Sequence, residues 1–224
     1  SLLAKELGIG NVIYNDIYDI SCQDARTIAE AINLEANDYI CGDVEVLSKY
    51  INNKQLKLNA IASYEVLEHI YDINHFFKVL SAIPQESLSI AFASTANIHN
   101  PIIRKNRMKL QQIAEYEDRT KEYGHKERDT TKSYLNARKE IISEFAPFLP
   151  FDQVEKLARA TRGKIKEDIL EVVTKYLNTG ETESELPILT NTCDPYTGNW
   201  AEQLINTAYL KDLLSGFDFH VEIK

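Results

Sequence analysis

The sequence predicts an α/β protein, a doubly wound and mostly parallel sheet with an all-helical insertion, and three observations carry that prediction. Over residues 1–100, short β-rich runs alternate with segments of helical periodicity, the pattern of parallel strands joined by crossover helices. Three of those runs close on an acid at a turn, Asp16, Asp43 and Glu65, and in a doubly wound sheet such strand ends face the ligand crevice. From Pro101 to about Gly180 the strand pattern ceases and only helices follow. The chain therefore divides into residues 1–100 with 185–224 as a sheet-bearing core and 101–184 as a helical cap, an excursion too long for a plain connection.

Residues 1–8 set apolar side chains at helical spacing and reach Gly8 where a helix would stop. Residues 11–15 are a short β-rich run closed by Asp16, and 24–32 have helical periodicity with Asp24 as the acid of the first turn. Residues 38–41 give a second strand, closed by Gly42-Asp43, and 44–51 a short helix. Residues 58–63 give a third strand, followed by a helix through Ala82 with Phe76, Phe77 and Leu80 on its apolar face. Residues 87–93 alternate as a half-buried strand that empties into Ser94-Thr95-Ala96-Asn97.

Within the cap, helices are predicted over 103–123, 131–145, 151–160 and 164–177, punctuated by Gly124-His125, by Pro147 with Pro150, and by Gly163. His125 itself reads as part of a solvated turn. An acidic loop is expected at 179–184 and a turn at Asp194-Pro195 within 187–200. A helix over 201–214 and a final strand over 217–223 complete the pattern.

Composition narrows the function. A chain of 224 residues, 44% hydrophobic and 26% charged, suits one α/β domain with an insertion better than two independent domains. Thirty-four acids against 25 bases give a net charge of −9, which repels phosphate backbones and argues against a nucleic-acid partner. Cys22, Cys41 and Cys193 form no close pair and no zinc spacing, so they read as reduced thiols of a cytoplasmic protein, and no metal is expected. No run approaches the roughly 18 apolar residues of a membrane span.

Residues 59–72 are the most informative stretch: Asn-Ala-Ile-Ala-Ser-Tyr-Glu-Val-Leu-Glu-His-Ile-Tyr-Asp, an apolar strand running straight into an acidic, helix-starting turn that carries a histidine. Together with the junctions at Asp16 and Asp43, this closely resembles the class I S-adenosylmethionine-dependent methyltransferases, where Glu-Val-Leu-Glu-His-Ile is a recurrent way of leaving the fourth strand. The resemblance covers about residues 1–97 and 198–224. It implies a Rossmann-like fold, S-adenosyl-L-methionine as cofactor, and a small-molecule acceptor, with a sugar or lipid-linked intermediate as the suggested class. The family also places a strand and a glycine-rich loop before the opening helix, and an antiparallel partner after the last strand. The expectation is thus a fragment truncated at both ends. Gly8-Ile9-Gly10 does not supply the loop, because it follows a helix and precedes a strand.

By this resemblance Asp16 holds the cofactor ribose through its vicinal hydroxyls, with Ile17 packing on the adenine; the other reading of Asp16 is an acid at a helix start. Asp43 would accept from the adenine amino group beside the Val44 backbone, and Tyr64 and Glu65 would border the methyl donor. His69 is the candidate base for a hydroxyl or amine nucleophile, or else a brace for its turn. Asn97 and His99, with Asn100, stand where the fourth visible strand ends, and Asn191 and Trp200, with Asp194 and Tyr196, on the return from the cap. These are candidate acceptor contacts, with ordinary loop residues and a helix-anchoring Trp as the alternatives. The basic cluster Arg104-Lys105-Asn106-Arg107 with Lys109 reads as a wet helix face or as a seat for an anionic group. Two other functions stay open: a binding or scaffold protein that has lost the cofactor loop, and a nicotinamide-dependent dehydrogenase, which would share the ribose acid.

Overall fold

The computed structural model describes residues 1–83, 87–120, 129–182, 191–201 and 203–223. It contains two compact units, Ser1–Ile61 with Asn74–Ala91, and Ala62–Ile73 with Phe92–Lys224.

In the first unit, strands and helices alternate as the sequence predicts. Helix α1 (Leu2–Glu6) ends before Gly8, whose φ of 79° only glycine adopts cheaply. Strands β1 (Ile13–Asp16) and β2 (Asp38–Cys41) pair in parallel, with Ile13 opposite Asp38 and Asp16 opposite Cys41. Parallel neighbours need a crossover, and α2 (Asp19–Ala31) provides it. Helix α2 starts five residues before the expected Asp24: Asp19 is the acid of its first turn, and the Tyr18 amide ahead of it donates to Asp16 Oδ1 at 2.9 Å.

Helix α3 (Val44–Lys54) is capped by Asp43, whose Oδ1 accepts from the Glu45 and Val46 amides at 3.0 Å each. Ala29, Ile51, Phe77, Leu80 and Ile83 are buried at the centre of this unit. Phe77 and Leu80 come from α4 (Ile73–Ser81). One continuous helix was expected from the third strand to Ala82. Instead a single 3₁₀ turn spans Leu67–His69, and Ile70 is extended (ψ 121°) before α4 begins. At this break the carbonyls of Glu68 and His69 turn to distant amides, those of Gln203 (3.2 Å) and Trp200 (3.5 Å), which satisfy them outside a helix.

Strands β3 (Ala60–Tyr64) and β4 (Ser89–Ala93) form a second pair. The Ser89 amide donates to Asn59 O at one end and the Glu65 amide to Ala93 O at the other, so these strands also run in the same direction.

The second unit is dominated by helices. Helices α5 (Pro101–Tyr116), α6 (Tyr134–Phe145), α7 (Phe151–Ala160) and α8 (Lys166–Thr179) match the four predicted, α7 to the residue and the others with shifted ends. Leu135, Ile141, Ile142, Val154, Leu157, Ile169 and Val173 form a common core of α6, α7 and α8. A buried ion pair crosses this core. Arg138, with no exposure, donates through Nη2 and Nη1 to the two oxygens of Glu115 (2.5 and 3.3 Å) and through Nε to Ala158 O (2.8 Å). Thr192 Oγ1 donates to the same carboxylate at 2.7 Å. Each of the three guanidinium nitrogens of Arg138 thus has a partner, the condition under which a buried charge is tolerated.

Two late expectations fail. Helix α9 (Thr207–Ser215) starts at the Asn206 cap rather than at residue 201, because Ile205 is used in a parallel bridge with Asn97. Residues 217–223 form no strand, since no described segment offers a ladder partner; Asp218 (φ 62°) turns the chain instead. The acidic loop falls partly, and His125 wholly, outside the described residues, as do 121–123 and 187–190. No helix among the described residues is long and apolar enough to cross a membrane.

Candidate functional site

In the first unit the parallel pairing of β1 with β2 brings two of the predicted acids to one sheet edge. Asp16 closes β1 opposite Cys41, and Asp43 follows two residues after Cys41. Asn15 Nδ2 ties the two strand ends together by donating to Ile40 O (3.0 Å) and Gly42 O (2.9 Å), and the Gly42 amide donates to Asp16 O. Gly42 is required there: a Cβ would stand 2.6 Å from Val46 Cβ, so no side chain fits between the strand end and α3.

Each acid already serves the backbone. Asp16 Oδ1 accepts from the Tyr18 amide, and Oδ2 from Tyr14 Oη at 3.4 Å. Burial, then the Asp16 charge, pushes the Tyr14 hydroxyl up to about 12, so it stays a donor. Asp43 uses Oδ1 for its helix cap. Beside Asp16 the Ile17 side chain is 42% exposed, an apolar surface next to a hydrogen-bonding acid, and Val44 is half-buried at the start of α3.

In the second unit the ends of β3 and β4 carry a different constellation. Tyr64 is exposed. Glu65 adopts φ 53°, a left-handed conformation that a non-glycine residue holds only when its surroundings fix it. Here the Thr95 amide donates to Glu65 Oε1 at 2.8 Å and Thr95 Oγ1 to Oε2 at 3.1 Å. Arg107 lies 3.7 Å from Oε2 and donates to Thr95 Oγ1 at 2.9 Å.

Glu68, three residues on, is completely buried, and neither carboxylate oxygen meets a well-aligned donor. Burial first, then the hydrogen bond with Glu65, pushes Glu68 up to about 7, while the proton that Glu68 offers is the main cause holding Glu65 below the usual carboxylate range. An ionised Glu65 thus favours a protonated Glu68.

His69 is anchored on one side. Its Nδ1 lies 3.1 Å from Trp200 O, a carbonyl that can only accept, so Nδ1 is the donor of this hydrogen bond. Trp200 is fixed in turn, with Nε1 donating to Tyr71 O (3.2 Å) and its ring stacked on Tyr71 at 5.7 Å. Asn97 Oδ1 accepts from the His99 amide in a local turn, and Asn100 caps α5. Asn191 Oδ1 accepts from Gln111 Nε2 (2.8 Å) and from the Leu204 amide (3.3 Å). Asp194 is buried and accepts from the Thr130, Tyr196 and Thr197 amides; burial pushes its carboxyl up. Trp200, Asn191 and Asp194 therefore brace the chain's return, and His99 stays exposed.

Sequence reasoning named Glu65 and His69 but passed over Glu68. The signal was present: residues three apart share one side of a helical turn, so Glu65 and Glu68 were placed to meet. The anchoring role of Arg107 had no comparable signal, since its partner Thr95 lies on another element. Among the described residues no group of three or more metal-ligating side chains is gathered. Compared with models of known families, with curated proteins and with solved structures, the chain finds no match.

Proposed function

We propose that this chain is an S-adenosylmethionine-dependent methyltransferase with a Rossmann-like core and a helical cap, acting on a small-molecule acceptor such as a sugar or lipid-linked intermediate. One observation carries the reading: Asp16 and Asp43 stand at the same carboxyl edge of two parallel strands, each running directly into a helix. Ligands of open α/β sheets bind at that edge. The donor set fits an adenosine, because Asp16 offers acceptors for ribose hydroxyls and the exposed Ile17 offers an apolar platform for the base. Val44 lies beside Asp43, whose Oδ2 is not used by the cap.

When bound, the cofactor supplies a methyl group on a sulfonium, whose departure leaves a neutral thioether. The protein then has to align the nucleophile, exclude water and accept a proton where the nucleophile is a hydroxyl. His69 is the candidate for that last task, since Trp200 O engages Nδ1 and in the neutral ring Nε2 is then the nitrogen that accepts. Tyr64 and Glu65 belong to the reacting side of this reading, and Asn97, His99, Asn191 and Trp200 to the acceptor side, the last two by bracing it.

A second reading, a scaffold protein on a methyltransferase-like frame, draws support from the local backbone duties of both acids. Isothermal titration of the complete gene product with S-adenosylmethionine separates the two. The enzyme reading expects saturable heat, a raised melting temperature and a loss of affinity of about 10- to 100-fold in Asp16→Ala, the worth of hydrogen bonds to a charged acceptor. No heat and an unchanged melting temperature would contradict it and favour the scaffold.

A further inference from the structure

Helix α5 carries its charges the wrong way round. A free helix is stabilised by acids in its first turns and bases in its last. In α5 there is no acid in the first turn and no base in the last, and its cations, Arg104, Lys105, Arg107 and Lys109, all lie before its last two turns while its one acid, Glu115, lies in the final turn. Spacing compounds the strain. Lys105 and Lys109 are four apart, Arg104 and Arg107 three apart, and no acid stands three or four residues from Arg104, Lys105 or Lys109. Like charges at those separations repel. In a chain with 34 acids to 25 bases, such an arrangement is not a shortage of partners.

The structure divides the cluster. Arg107 turns to Thr95 and Glu65. Arg104, Lys105 and Lys109 instead line a groove of about 740 Å³ together with His99, over an apolar floor that includes Ile98 and Met108. None of the three has an ion-pair or side-chain hydrogen-bond partner among the described residues, and no carboxylate lines the groove. The first amides of α5 are already taken by Asn100 Oδ1, so the attraction comes from side-chain cations rather than from a bare helix end.

We propose that this groove binds the phosphate or diphosphate group of a small organic anion, whose apolar part lies on Ile98 and Met108. Lys105 and Lys109, four residues apart on one helix face, stand about 6 Å apart along the axis, and Arg104 lines the same groove, a set that long side chains can gather around one diphosphate. The net charge of −9 opposes an extended polyanion or an anionic membrane far more than a compact anion that the groove encloses. That this anion is the methyl acceptor rests on the function proposed above. The affinity of the groove for it does not.

The test is thermal unfolding of the full chain with inorganic pyrophosphate, against sodium chloride at matched ionic strength, in the parent and in Arg104→Glu/Lys109→Glu. The expected result has two opposite signs. Pyrophosphate raises the parent's melting temperature saturably and leaves the variant's unmoved, while without ligand the variant melts higher than the parent, because acids replace mutually repelling cations at i,i+3 and i,i+4 spacing. A parent that responds no more to pyrophosphate than to chloride overturns the proposal, as does a variant that keeps the full response. Flotation with vesicles of neutral phosphatidylcholine and with vesicles that also contain phosphatidylserine, the anionic lipid of the cytoplasmic leaflet, distinguishes the source of the phosphate: binding to anionic vesicles without a pyrophosphate response replaces the small anion by a membrane surface. Loss of S-adenosylmethionine binding with the pyrophosphate response intact would refute the methyltransferase reading alone.

Discussion

Replacing Arg138 by methionine is expected to cost the protein about 3–5 kcal/mol, the penalty for stranding a charge in the interior. Glu115 would keep the Thr192 hydroxyl but lose both guanidinium bonds, in a place with almost no access to water. The Ala158 carbonyl would lose its donor as well. Removing the carboxylate at the same time should return much of the loss, because two apolar residues of similar volume need no desolvation; Arg138→Met with Glu115→Leu is therefore expected to be more stable than Arg138→Met alone. Urea denaturation of the three proteins measures this. A loss below about 1 kcal/mol in the single variant would mean that the pair does not hold the helices together.

Glu68→Gln is expected to stabilise the protein at alkaline pH, a rare direction for a change at a fully buried position. The folded state holds the Glu68 proton up to about 7, whereas an unfolded glutamate gives it up near 4.5. Between those values the native state binds more protons than the unfolded one, so the contribution of Glu68 to stability falls as pH rises through the window and is fully lost above it. Glutamine keeps a donor toward Glu65 and cannot ionise. The variant should therefore gain on the parent progressively from about pH 5 to pH 8, reaching about 2 kcal/mol. Denaturation curves at pH 5 and pH 8 give the difference directly. A variant that is less stable than the parent at pH 8 would show that the Glu68 carboxylate is satisfied when charged.

How far the fold was legible follows from where each signal sits. The alternation of strands and helices in residues 1–93 was readable because period and turn chemistry are local: β2 was placed to the residue, and α7 likewise between Pro150 and Thr161. The ends that moved did so for long-range reasons. The 3₁₀ turn at Leu67–His69 replaces an expected helix where Gln203 and Trp200, more than 130 residues away, bond to its carbonyls. Helix α9 begins late because Ile205 pairs with Asn97. Residues 217–223 alternate like a strand, yet a strand exists only by virtue of a partner.

The site was legible in a similar measure. Asp16 and Asp43 were found as strand-end acids, and their shared edge follows from the parallel register. The braced state of His69 was one of two readings left open, and only Trp200 O decides which ring nitrogen donates. The spacing of Glu68 from Glu65 was local and could have been read, but its burial could not, and Arg107 owes its role to Thr95 on another element, which no local pattern encodes.

The central claim is that the edge formed by Asp16 and Asp43 receives an adenosine. A crystal structure of the complete gene product soaked with S-adenosylhomocysteine tests it most directly. The account predicts ribose hydroxyls on the Asp16 carboxylate, the adenine against Ile17, and its amino group toward Asp43. Density for the nucleoside elsewhere, with Asp16 and Asp43 still bonded only to the Tyr18, Glu45 and Val46 amides, would contradict it.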